Sequence, residues 1–142
     1  MNIGKFVLNV VVAFIAFGAL YQGGNMIFAD RFASMNARLN PEDKILVAML
    51  GYHFVQTVVF VWLYSKAVGS GDMKSGAMFG VMVGLYLLAT DSNWFVMLKD
   101  FPGEGRMPLG ILHIVNGALV GALLAFMQGK GWGLSQASST ED

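Results

Sequence analysis

The chain has 142 residues, of which 56% are hydrophobic and only 13% are charged, and its formal net charge is zero. A soluble domain is about one-quarter charged, so this chain is too short and too apolar to hide its hydrophobic surface in a core of its own. With 9 Lys and Arg against 9 Asp and Glu, the chain has no basic excess to attract nucleic acid, and the lack of cysteine excludes disulfides, thiolate metal sites and cysteine nucleophiles.

Four stretches are long and apolar enough to cross a bilayer, whose hydrocarbon core takes about 20 helical residues. They cover residues 3–28, 45–68, 75–98 and 107–128. Short polar breaks separate the last three spans and leave no room for a further domain between them. We therefore predict a single all-α domain over 1–142. Its expected form is a four-helix transmembrane bundle with antiparallel neighbouring helices. An even number of spans places both termini on the same side, whereas the nearly even distribution of Lys and Arg gives no orientation.

The first connection, 29–40, is not a simple loop. Phe28, Phe32, Met35 and Leu39 recur at helical spacing. This pattern predicts either a helical extension of the first span or a short helix lying in the membrane interface.

Turn and capping residues mark the other boundaries. Asn40 and Pro41 predict an N-cap followed by the first residue of the second span. The chain breaks again at Gly69, Ser70, Gly71 and Asp72, and this break offers a cap for the third span. Glycines end the fourth span, and the remainder of 129–142 is predicted to be a polar, disordered tail.

Every span also carries polar side chains, which are costly in lipid and require partners. Counted by helical rise from the side of the first and third loops, they lie roughly 9–17 Å deep and so share one half of the membrane. This predicted polar layer consists of Gln22, His53, Gln56, Asp91, His113 and Asn116.

Small residues dominate the other half of the last two spans. Gly76, Gly80 and Gly84 repeat every four residues on the third span, and Gly117 and Gly121 do the same on the fourth. Small residues at this spacing allow helix backbones to approach closely within lipid. We therefore predict that the third and fourth spans pack tightly along these two stripes.

The two stripes continue into the polar layer. Asp91 follows Gly80 by eleven residues, which is about three helical turns, and His113 precedes Gly117 by four. Both side chains therefore fall on the facing surfaces of the third and fourth spans. We predict that Asp91 and His113 meet there in a charge-assisted hydrogen bond.

The sequence contains no recognisable catalytic motif, metal-ligand cluster or phosphate-binding loop, so we expect a non-enzyme without a metal. The first hypothesis is an accessory or scaffolding subunit of a larger membrane complex, because helix surface is the main thing that so small a chain offers to a partner. Its expected partners are membrane lipids and either other membrane subunits or further copies of itself. The expected location is a multi-pass position in a bacterial inner membrane.

Two alternatives use the polar residues. An intramembrane carboxylate with a histidine can relay protons, so Asp91 and His113, with His53, indicate a small proton, ion or solute channel or transporter. Histidines on different helices can also ligate haem or a chlorophyll-type pigment. That alternative would use His53 or His113, although the main expectation is that no cofactor is bound.

Overall fold

A computed structural model describes residues 2–133, so most of the predicted polar tail lies outside the described residues. Within that range the chain is all-helical. Four helices are long and apolar enough to cross a membrane. A shorter helix follows the first of them, and a 3₁₀ turn over Gly103–Gly105 precedes the last. The α-helices are α1 (Ile3–Ile27), α2 (Ala29–Asn36), α3 (Glu42–Ala67), α4 (Met73–Met97) and α5 (Arg106–Gly129).

Two boundaries are decided by local backbone geometry. Phe28 leaves the helical region, with φ −105° and ψ 24°, so α2 is a separate short helix and does not continue α1. Pro41 has the extended ψ of 141° and is itself the N-cap of α3, which has no side-chain cap. The predicted capping role of Asn40 is therefore wrong, and α3 begins at Glu42.

The start of α4 is capped by Asp72, the last residue of the break that is predicted to offer a cap. The Asp72 carboxylate accepts hydrogen bonds from the backbone N–H of Lys74 at 3.3 Å and of Ser75 at 3.0 Å, and from the Ser75 hydroxyl. The Ser75 hydroxyl, followed by these backbone N–H groups, holds the pKa of Asp72 below its ordinary value. The stability contributed by this cap is therefore present above the unfolded pKa of about 3.9 and is lost as the pH falls through the lowered pKa.

Removal of the hydroxyl in Ser75→Ala is expected to raise the pKa of Asp72 towards its ordinary value, because the largest contribution to the shift is lost. The measurement is a carboxyl-carbon NMR titration of the detergent-solubilised protein. Ser70→Ala is the control, since the Ser70 hydroxyl accepts from the backbone N–H of Asp72 and does not bond its carboxylate. Equal Asp72 pKa values in Ser75→Ala and the unmodified protein would contradict this assignment.

Helices α4 and α5 pack backbone to backbone along the glycine stripes. Gly76 lies against Gly121 and Gly80 lies against Gly117, while Gly84 meets the backbone of His113. A Cβ atom added at Gly80 would overlap the carbonyl of Gly117. This close approach fixes the two helices in rotation about their axes and so determines which of their side chains face each other.

Helix α5 lies at the centre of the fold. Half of its most apolar segment is buried (50%), against 17–22% for the other three long helices. Its buried residues Val120 and Leu124 belong to a core shared with Val10 of α1 and Val61 of α3. The first turns of α1 are also tied to the residues after α5. Lys5 donates from Nζ to the carbonyl of Gly131, and Asn9 donates from Nδ2 to that of Trp132, each at 2.7 Å.

Helix α3 is peripheral, because it packs mainly on α1 and touches α4 little. Aromatic rings hold α3 and α4 apart. Phe79 of α4 lies between Phe60 and Tyr64 of α3, at ring-centroid distances of 5.1 and 5.7 Å. A cavity of about 620 Å³ remains between α1, α3 and α4.

Candidate functional site

His113 lies at one end of the interface where the glycine stripes of α4 and α5 pack together, which we call the glycine seam. It lies one turn before Gly117 on the face of α5 that meets α4, and only 10% of its side chain is exposed. Its Nε2 lies 2.8 Å from Oδ2 of Asp91, whose side chain is 38% exposed. The structure thus brings together the two residues that the glycine register aligns.

A third residue, Tyr21 of α1, completes this group. The Tyr21 hydroxyl lies 2.5 Å from Nδ1 of His113, and the two rings meet edge to face with centroids 5.7 Å apart. Sequence reasoning assigned the polar position on this turn to Gln22, which is exposed in the structure. The overlooked signal is the i, i+4, i+7 spacing of Phe17, Tyr21 and Gly24, which share the inward face of α1.

For a neutral histidine beside an ionised aspartate, the chemistry of the partners gives the direction of each bond. The Asp91 carboxylate can only accept, so Nε2 of His113 carries the proton and donates it. Nδ1 is then the acceptor, and the Tyr21 hydroxyl donates to it. The result is a continuous chain from Tyr21 through His113 to Asp91, which we call the relay. It joins three helices, α1, α5 and α4.

One end of the relay approaches the surface near the α4–α5 connection. Asp91 and His113 line a narrow crevice together with Ser92 and Arg106. Arg106 donates from Nε to the Ser92 hydroxyl at 3.3 Å. Because Asp91 is partly exposed and Arg106 lies at the same crevice, this is the polar end of the relay.

The other end of the relay adjoins the cavity, because Tyr21 is also one of its lining residues. His53 lines the same end of the cavity. The ring of Phe17 packs against both side chains, with its centroid 6.3 Å from each of theirs. From there the cavity extends along α3 to Leu63, four residues before the end of that helix at Ala67.

The relay and the cavity therefore follow one another along the helix axes. Asp91 lies six residues before the end of α4 at Met97, whereas the cavity-lining Phe79 lies six residues after its start at Met73. At a rise of about 1.5 Å per residue, these two positions are separated by roughly 18 Å. Together these two positions span about half of the 25 residues of α4.

The remaining residues of the predicted polar layer are divided between these features. His53 donates from Nε2 to the carbonyl of Phe14 at 3.3 Å, because a carbonyl can only accept, and Gln56 lines the cavity beside it. Asn116 lies one turn after His113 and is 2% exposed. Its Nδ2 has no hydrogen-bond partner among the described residues.

The described residues contain no group of three or more carboxylate or histidine side chains that could hold a metal ion. Comparison of the chain with protein-family models, with curated proteins and with solved structures gives no match. A functional inference therefore depends on the geometry of the chain's own side chains.

Proposed function

We propose that this chain is a small proton-translocating membrane protein. The observation that supports this function is the relay, in which Tyr21, His113 and Asp91 form an unbroken hydrogen-bonded chain across three helices. A buried histidine with a donor on one ring nitrogen and a carboxylate on the other is arranged to pass a proton along its ring.

Proton movement through the relay follows from the bond directions. His113 gives its Nε2 proton to the Asp91 carboxylate as Nδ1 takes the hydroxyl proton of Tyr21, which leaves His113 neutral with its proton on Nδ1. Asp91 then releases its proton at the exposed crevice, while Tyr21 is reprotonated from the cavity. The relay is reset when the His113 ring turns so that its protonated nitrogen again faces Asp91. The same exchange in reverse carries a proton towards the cavity.

The proposal includes a membrane arrangement. The four long helices cross the bilayer with antiparallel neighbours, and both termini lie on one side. The relay then occupies the half nearer the α4–α5 connection, and the cavity occupies much of the remainder. This placement is supported by the length and hydropathy of the four helices and by the exposed apolar side chains of α3. Val47 is 82% and Val55 is 58% exposed.

The hydrogen bonding of His113 favours the relay over cofactor ligation by that residue. An axial haem ligand uses a free imidazole nitrogen, whereas both nitrogens of His113 are hydrogen bonded. The accessory-subunit hypothesis remains a prediction, with no contact among the described residues that favours it.

The test is proton entry into liposomes that contain the purified chain, an internal pH dye and a potassium-diffusion potential. Flux above that of empty liposomes is expected. Tyr21→Phe is expected to reduce this flux at least about tenfold, because it removes the hydroxyl proton but keeps the ring; positioned proton-transfer groups typically contribute about 10²–10⁴ in rate.

Tyr52→Phe is the matched control, since Tyr52 is 72% exposed on α3 and is expected to leave the flux unchanged. Thermal unfolding of both variants checks that each retains the fold. Flux that equals the empty-liposome leak, or equal flux in the two tyrosine variants, would count against the proposal.

A further inference from the structure

The inner end of the cavity presents hydrogen-bond acceptors. Tyr21 gives its hydroxyl proton to His113, so the lone pairs that remain on its oxygen can only accept a further bond. His53 gives its Nε2 proton to the carbonyl of Phe14, which leaves Nδ1 of the neutral ring as an acceptor. The two groups that pack against Phe17 are therefore both complementary to a ligand that donates.

The walls of the cavity restrict the ligand further. They are strongly apolar and carry the aromatic rings of Phe17, Phe60, Phe79 and Tyr86, with no carboxylate among the described lining residues. An ammonium group would have no counter-ion there and would lose its hydration. An ionised fatty acid or a phosphate headgroup would likewise lose its hydration, with no Lys or Arg among the described lining residues to compensate its charge. A neutral hydroxyl on an aromatic ring matches both the polar end and the walls.

The opening of the cavity indicates how such a ligand enters. Side chains at its rim, among them Val59 and Met82, are 47% and 60% exposed on the outer faces of α3 and α4. In the proposed arrangement these faces meet hydrocarbon, so the ligand arrives from within the membrane. A volume of about 620 Å³ accommodates a substituted ring together with part of a hydrocarbon tail.

We propose that the cavity binds a lipid-soluble phenol or quinol, whose ring lies among the aromatic side chains and whose hydroxyl donates to Nδ1 of His53 or to the Tyr21 oxygen. The role of this molecule rests on the proposed function, because its hydroxyl would lie beside Tyr21 at the cavity end of the relay and would alter the rate at which protons enter there. Its binding does not depend on that function and can be measured separately.

The experiment compares 4-pentylphenol with pentylbenzene, which has the same ring and tail but no oxygen. Equilibrium binding of each tritiated compound is measured on the purified protein in lipid nanodiscs, with empty nanodiscs subtracted. The phenol is expected to bind about fivefold to tenfold more tightly, as one net hydrogen bond implies. His53→Phe keeps a ring beside Phe14 but removes the acceptor, and it is expected to reduce this preference.

A second pair of variants tests the location without altering the polar end. Val59→Trp fills the rim of the cavity and is expected to abolish saturable binding. Val47→Trp makes the same change on the same helix at a position that is 82% exposed and away from the cavity, so it is expected to bind normally.

Equal binding of the two compounds would show that the cavity takes hydrocarbon chains without recognising a hydroxyl, and equal binding by the two tryptophan variants would place the ligand elsewhere. Either result overturns this inference. Proton flux that persists without specific phenol binding would reject the ligand alone, whereas phenol binding without any flux would reject the proposed function and leave the binding site standing.

Discussion

Replacement of Asp91 by asparagine is expected to reduce proton flux in liposomes by at least about tenfold, since positioned proton-transfer groups contribute about 10²–10⁴ in rate. Asparagine has nearly the same shape and retains a carbonyl oxygen that can accept the Nε2–H of His113, now 2.8 Å from Asp91. It cannot take up the proton, however, so the relay is interrupted while its geometry is kept. The measurement is the initial rate of acidification of the internal dye at a fixed membrane potential.

Asp100→Asn is the control for this variant, because Asp100 is an exposed carboxylate in the α4–α5 connection. The same change of charge at that position is expected to leave the flux unaltered. Equal losses in both variants would point to a general effect of surface charge on the approach of protons, and an undiminished flux in Asp91→Asn would remove Asp91 from the path.

The second large effect is expected from the smallest possible change at the glycine seam. Gly80→Ala adds a single Cβ that would overlap backbone atoms of Gly117 and Ala118. Because backbone cannot rotate away as a side chain can, α4 and α5 must separate. We expect a loss of about 1–3 kcal/mol in the free energy of unfolding, measured by denaturant titration in detergent micelles.

The same substitution at Gly18 is expected to have the opposite sign. A Cβ at that position in the middle of α1 meets nothing within 4 Å, and alanine is a better helix former than glycine by about 1 kcal/mol. Gly18→Ala should therefore be neutral or stabilising. Destabilisation of similar size in both variants would mean that the α4–α5 seam is not responsible for the loss.

The contact between Asp91 and His113 illustrates what can be predicted from helical periodicity. Each residue lies on the face of its helix that carries the glycines. Asp91 is eleven residues from Gly80 and His113 is four residues from Gly117, and both separations are close to whole helical turns. Once the two glycine stripes pack, no further information is needed to bring the pair within reach. The structure has them 2.8 Å apart.

Tyr21 could not be found in that way. Helix α1 has no comparable glycine stripe against α5, so the sequence leaves its rotation about its own axis open. Tyr21 and Gln22 are neighbours on that helix, and a rotation of about 100° exchanges their positions. The contacts of Gly24 with Leu112, and the burial of Phe17 in the core, turn Tyr21 inwards and Gln22 outwards.

The cavity likewise depends on tertiary packing. Glycines allow α4 to pack directly on α5. On the other side of α4, the rings of Phe60 and Tyr64 pack against Phe79 and so keep the axes of α3 and α4 apart. Because α4 packs closely on α5 but is separated from α3 by aromatic rings, space remains between α3 and α4. The sequence shows which residues are small and which are large, but not which of them face each other across two helices.

The sequence by itself thus determined four long apolar helices, a cap within the break 69–72 and the alignment of Asp91 with His113, because each follows from the composition or period of a continuous segment. Only the tertiary structure decided that Tyr21 completes the relay and that His53 lines a cavity at its end. These features depend on how helices rotate and separate, which is set by side chains from different parts of the chain acting together.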